Sequence, residues 1–66
     1  MKLDLDKLWG KDIKLTDVEG NVWNGFVDGV TDRNNTPDCK DEITLMIGFE
    51  YYSFYDDEIK SIEILD

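Results

Sequence analysis

The sequence predicts a mainly β domain in which a short amino-terminal helix precedes a five-stranded, strongly bent antiparallel sheet closing as a small barrel. Three observations carry this expectation. Short segments along the chain alternate apolar and polar residues with the period of two that a half-buried strand requires. Turn-forming residues punctuate them, from "EGN" near the start to the loop "TDRNNTPDCKDE" in the middle. The second segment, "VWNGFVDGV", holds Gly25 and Gly29, and a strand tolerates glycine chiefly where it bulges or bends sharply.

The helix is expected over about residues 4–9. Asp4 or Asp6 can cap it, Leu5 and Leu8 stand three apart on one face, and Gly10 ends it. The first strand, about 12–17, sets Ile13 and Leu15 against Asp12, Lys14 and Thr16. In the turn that follows, Gly20 and Asn21 both tolerate positive φ. The second strand, about 21–31, points Val22 and Phe26 one way and Trp23 and Val27 the other. After the polar loop with Pro37, the third strand at about 43–48 carries Ile43, Leu45 and Ile47 on one face. "YYSFY", about 51–55, is the fourth strand, with Tyr52 and Phe54 on one face and Tyr51, Ser53 and Tyr55 on the other. A tight acidic turn, "DDEI", leads to the fifth strand at about 60–65, with Ile62 and Ile64 inward. Ile13, Leu15, Phe26, Ile43, Leu45, Phe54, Ile62 and Ile64 are the expected core. A helix and five short strands in this order read as an SH3-type barrel, which removes most vulnerable sheet edges by closure.

Sixty-six residues make a single domain, 1–66, near the lower size limit for independent folding, so self-assembly is a live expectation. No run of eighteen apolar residues exists to span a membrane, and acids occupy the amino terminus where a signal peptide needs an apolar stretch. The lone Cys39 can form no internal disulfide, which points to a reducing, cytoplasmic setting. The formal charge of −9 is uneven: residues 1–20 carry −1 and residues 21–66 carry −8. Phosphate backbones are held by Lys and Arg, so this balance points away from nucleic acid and towards a basic protein partner.

Several stretches resemble a known family. "LDKLWGKDIKLTDVEGNVWNGFVDGVTD" is similar to the first motif of Sm-like (LSM) domains, through Gly10-Lys11, Ile13, Leu15, Gly20 and Trp23-x-Gly25. "FYDDEIKSIEIL" falls where the second Sm motif belongs, with Ile59 and Ile62 in its apolar slots. Small acidic bacterial LSM-domain-like proteins with similar "DEIKSIE" segments look like the nearest kin. The resemblance implies a barrel that assembles by pairing the fourth strand of one copy with the fifth of the next. It also implies a base-binding site built from an Asp, an Asn four residues later, and an Arg-Gly pair. Here Asp32 is followed by Asn34 and Asn35 while Thr36 takes the fourth position, and Tyr55 and Asp56 fill the Arg-Gly slots. Loss of that cation argues against the family's RNA site.

The residues offer little for catalysis. Histidine is absent, Cys39 has no base partner, and the Asp56-Asp57 pair falls in a turn where solvation is the default. The sequence therefore points to a non-enzyme without a cofactor. Asp32, Asn34, Thr36 and Asp38 faintly echo a calcium loop, but Pro37 stands at its glycine position and Ile43 at its glutamate, so no metal site is expected. The aromatics of 49–55 neighbour Glu50, Asp56, Asp57 and Glu58 instead of the cations a base-stacking platform would carry. The candidate binding residues are thus Tyr51, Tyr55, Asp32, Asn34 and Asn35, with Asp56, Asp57 and Glu58 forming an acidic surface. The reading is a protein-interaction module that binds a basic partner or self-assembles through strands four and five, with an RNA-binding ring as the alternative.

Overall fold

The computed structural model describes residues 3–65; residues 1, 2 and 66 of the expected domain lie outside the described residues. The elements follow the expected order: α1 (Leu5–Leu8), β1 (Asp12–Asp17), β2 (Val22–Thr31), β3 (Glu42–Ile47), β4 (Glu50–Tyr55) and β5 (Ile59–Ile64). Two short 3₁₀ turns, Arg33–Asn35 and Asp56–Glu58, stand before β3 and β5. All five strands form one antiparallel sheet in the order β4-β3-β2-β1-β5.

Closure does not occur. β4 and β5 are the two edges of the sheet and do not pair with each other, so the expected closed barrel is instead a curled, open sheet. The 3₁₀ turn between them carries the chain from one edge to the other and adds one backbone bond to the end of each ladder. Its Asp56 N–H donates to the Asp41 carbonyl, and its Glu58 carbonyl accepts from the Val18 N–H.

The helix is one turn long, shorter than expected. Asp4 caps it by accepting from the Lys7 N–H, and Gly10 at φ +78° follows it. Leu3 immediately before the cap and Leu8 at the fourth helical position are both buried, the arrangement of a hydrophobic staple. Gly10 and Lys11 then bond to both backbone groups of Val27, tying the helix to β2. In the β1–β2 turn Gly20 adopts positive φ but Asn21 does not. Asp17 makes that turn instead, accepting at one oxygen from the Glu19 and Asn21 N–H groups and at the other from Trp23 Nε1.

The bend in β2 has a visible cause. A Cβ on Gly25 would lie 2.8 Å from Ile47 Cγ1 and 3.0 Å from the Met46 carbonyl oxygen, so β3 approaches closer than a side chain permits. Curling brings Trp23 over β3 to the inward side chains of β4, with ring centroids 5.2 Å from Tyr52 and 5.4 Å from Phe54. The β2–β3 register shifts between Val27 and Gly29, leaving Asp28 bulged, so that Val27 and Val30 face the same side although three apart. The expected core is corrected on β2: Val27, in phase with Trp23 and Gly25, is fully buried, while Phe26 belongs to the opposite face and only half-buries. A second shift pairs Ser61 with Thr16 and Ile59 with Asp17, which bulges Lys60 and turns Ile59 inward. Ile59 is accordingly buried, whereas Ile62 and Ile64 only pack against the edge of the core. Leu3, Leu8, Ile13, Leu15, Val27, Ile43, Leu45, Phe54 and Ile59 make up that core.

Candidate functional site

The open edge and the outer face of the sheet form one surface. β4 pairs with β3 in an unbroken register from Glu42–Tyr55 to Ile47–Glu50, closed by a two-residue loop with Gly48 at φ +63°. Its other side presents backbone donors and acceptors that no strand takes up. Tyr51, Ser53 and Tyr55 face outward as expected; the Ser53 and Thr44 hydroxyls meet at 3.2 Å on that face. Tyr51 is 61% exposed, and Phe49 in the adjoining loop is fully exposed. Phe26 stands opposite Met46, and Met46 opposite Tyr51, so an apolar strip crosses three strands and ends at the β4 edge.

Four positions along β4 the character changes. Tyr55 is half-buried and pairs with Glu42. Burial first, and then the nearby Asp38 and Glu42 carboxylates, push its phenol above the usual value. Lys40 Nζ lies 5.7 Å from its ring centre and 2.7 Å from Asp57 Oδ2. On the inward side Tyr52 donates to the Glu50 carboxylate, and that hydrogen bond first, then the carboxylate's charge, raises the Tyr52 pKa.

The polar loop and the acidic turn come together at this end. Asp32 accepts from the Asn34 N–H and caps the 3₁₀ turn that holds the exposed Asn34 and Asn35. Arg33 is the hub. Its guanidinium reaches Asp41 through Nε at 3.4 Å and Nη2 at 3.2 Å, and Nη2 also reaches Asp56 at 3.5 Å. The Arg33 N–H adds a third bond to Asp41, which is 4% exposed. The hydrogen bond to Asp41 raises the Arg33 pKa, and the Asp41, Asp56 and Asp32 charges add to the effect.

Three expectations change as a result. Asp56 and Asp57 are not a freely solvated pair, because the folded loop brings Arg33 and Lys40 against them. Glu58 is spent locally, its carboxylate accepting from the Tyr55 N–H at 2.8 Å. An arginine, not expected beside Tyr55 and Asp56, comes from the facing loop, where Arg33 Nη2 lies 3.5 Å from Asp56 Oδ2. Sequence reasoning passed over Arg33 and Asp41 because they stand eight residues apart and Asp56 a further fifteen along; an Arg and an Asp bracketing an Asx-rich loop were the available signal. Tyr51 lies at the far end of β4 and does not join this cluster.

Among the described residues no group of His, Cys, Asp or Glu side chains has the geometry to hold a metal ion. No helix among them is long and apolar enough to cross a membrane. Fold and site together define a small antiparallel β domain with two sheet edges, of which β4 is the aromatic one. No known protein family, curated protein or solved structure matches the chain.

Proposed function

We propose that this protein is a non-catalytic interaction module that binds a basic protein partner through the β4 edge and the tyrosine-bearing face beside it, in a cytoplasmic setting. One observation carries the reading. β4 is an edge strand of six residues in unbroken register, without the lysine, proline or bulge that usually blunts such edges. The net charge of −9 favours a cationic partner by steering and by complementarity. Self-assembly through β4 and β5 is the other use of the same edge, and light scattering after size exclusion separates the two. A monomer at all concentrations and salts would exclude self-assembly.

The RNA-binding, Sm-like reading keeps one favourable observation. Arg33 places a half-exposed guanidinium between the loop holding Asn34 and Asn35 and the turn after Tyr55. Against it, that guanidinium already meets two carboxylates, and Asp32, Asp38 and Asp57 surround it or Lys40. A gel shift with short U-rich and A-rich RNA is expected to show no complex at about 150 mM salt. Micromolar binding under those conditions would reverse the ranking.

A further inference from the structure

The outward face of β4 changes chemistry along its length in a way that specifies what could pair with it. Three successive outward positions present an apolar group at Tyr51, a hydroxyl at Ser53 and an acidic neighbourhood at Tyr55. Each is backed by a like neighbour on β3: Met46 behind Tyr51, Thr44 behind Ser53 and Glu42 behind Tyr55. A strand added to this edge places its alternate side chains directly beside these three, within about 4.5–5.5 Å at Cβ. Every existing pair in the sheet is antiparallel. An added antiparallel strand therefore meets Tyr55 first and Tyr51 last.

We infer that β4 receives an extended segment of a partner protein bearing a lysine or arginine, then a small or hydroxyl residue, then an aromatic or large aliphatic residue, at alternate positions from amino to carboxyl end. Backbone bonds along β4 supply affinity, apart from the Tyr55 N–H that Glu58 already takes, and the three side-chain neighbours supply register and direction. The cation meets Asp38 and Glu42 beside Tyr55, two carboxylates against the single nearby ammonium of Lys40, whose closest partner is Asp57. The apolar residue extends the strip Phe26–Met46–Tyr51 by one strand. The β5 edge of a second copy is the poorer occupant. Its one lysine, Lys60, lies in a bulge, Ser61 and Glu63 face outward, and each copy brings a further charge of −9.

This inference rests on the interaction-module reading but fails separately from it. The test uses eight-residue threonine-rich synthetic peptides with lysine, serine and phenylalanine at the three alternate positions, in forward or reversed order, and a third with glutamate for lysine. Binding is followed by amide chemical shifts of the intact protein. The forward peptide is expected to shift Glu50–Tyr55, to bind at least fivefold more tightly than the reversed one, and to weaken with salt, while the glutamate peptide does not bind. Tyr51→Lys, at an exposed position, is expected to keep the folded spectrum and lose at least tenfold in affinity. Equal binding of forward and reversed peptides overturns the assignment, as do shifts confined to another surface or a β4 already covered by a second copy. A native partner captured equally by the wild type and Tyr51→Lys would overturn the edge assignment while leaving the module reading in place.

Discussion

Replacing Gly25 with alanine adds one methyl group where β2 runs close against β3, and its cost follows from the geometry. The new Cβ would meet Ile47 Cγ1 at 2.8 Å, the Met46 carbonyl oxygen at 3.0 Å and Leu45 Cβ at 3.4 Å. Ile47 can swing aside because it is only half-buried, but the Met46 carbonyl belongs to a strand held by ladders on both sides. Overpacking of this kind costs about 1–3 kcal/mol. Gly25 does not have positive φ, so alanine also restricts the unfolded chain and returns about 0.4–1 kcal/mol. The net is a destabilisation of about 1–2 kcal/mol, which for a domain this small lowers Tm by about 5–15 °C. Gly29 is the internal control. A Cβ there meets nothing nearer than Thr44 Cβ at 3.9 Å, so Gly29→Ala is expected to be neutral or to raise Tm slightly. Thermal melts by circular dichroism read both variants. A Gly25→Ala protein as stable as the wild type would refute close strand approach as the cause of the bend.

Three further outcomes are expected. Ile59→Ala should cost about 2–5 kcal/mol, enough to leave much of the chain unfolded at 25 °C, whereas Ile62→Ala should cost less than half as much; urea titration ranks them, and the reverse order would refute the inward bulge at Lys60. Asp41→Ala strands the Arg33 N–H and guanidinium and should cost about 1–3 kcal/mol, against no more than about 1 kcal/mol for Asp56→Ala, compared in the same titration. The hydrogen bond from Trp23 Nε1, followed by those from the Asn21 and Glu19 amides, lowers the Asp17 pKa below 3.8 despite partial burial. A depressed folded-state pKa gives stabilisation that is complete above the unfolded value and disappears as pH falls through the folded one, so Asp17 contributes at neutral pH and loses its contribution below about pH 4. Asp17→Asn should therefore lower Tm at pH 7 and shrink the difference from the wild type below pH 4, with Trp23 fluorescence reporting the turn.

The sequence was most legible where alternation ran uninterrupted. β1 and β3 expose their period directly, and Ile13, Leu15, Ile43 and Leu45 are all fully buried. It misleads where a bulge inserts a residue, since alternation then continues in the wrong phase and leaves Ile59 out of the core. In β2 alternation gives two apolar faces and does not say which is inward; the structure buries Val27, in phase with Trp23, and not Phe26. Closure could not be read either, because whether β4 reaches β5 depends on how far the sheet curls and not on any one strand's pattern. For the site, outward-facing Tyr51 and Tyr55 follow from strand periodicity alone. The Arg33–Asp41–Asp56 clasp does not, because ion pairs across eight and twenty-three residues leave no periodic trace.

The central claim is that β4 is an open edge available to a partner. Amide hydrogen exchange across residues 50–55, measured by NMR over a dilution series, tests it directly. The expected result is alternating protection, with the amides bonded to β3 slow and the intervening ones fast except that of Tyr55, which donates to the Glu58 carboxylate, the whole pattern unchanged by concentration. Protection of every β4 amide, growing as the protein is concentrated, would contradict it and place a second copy on the edge.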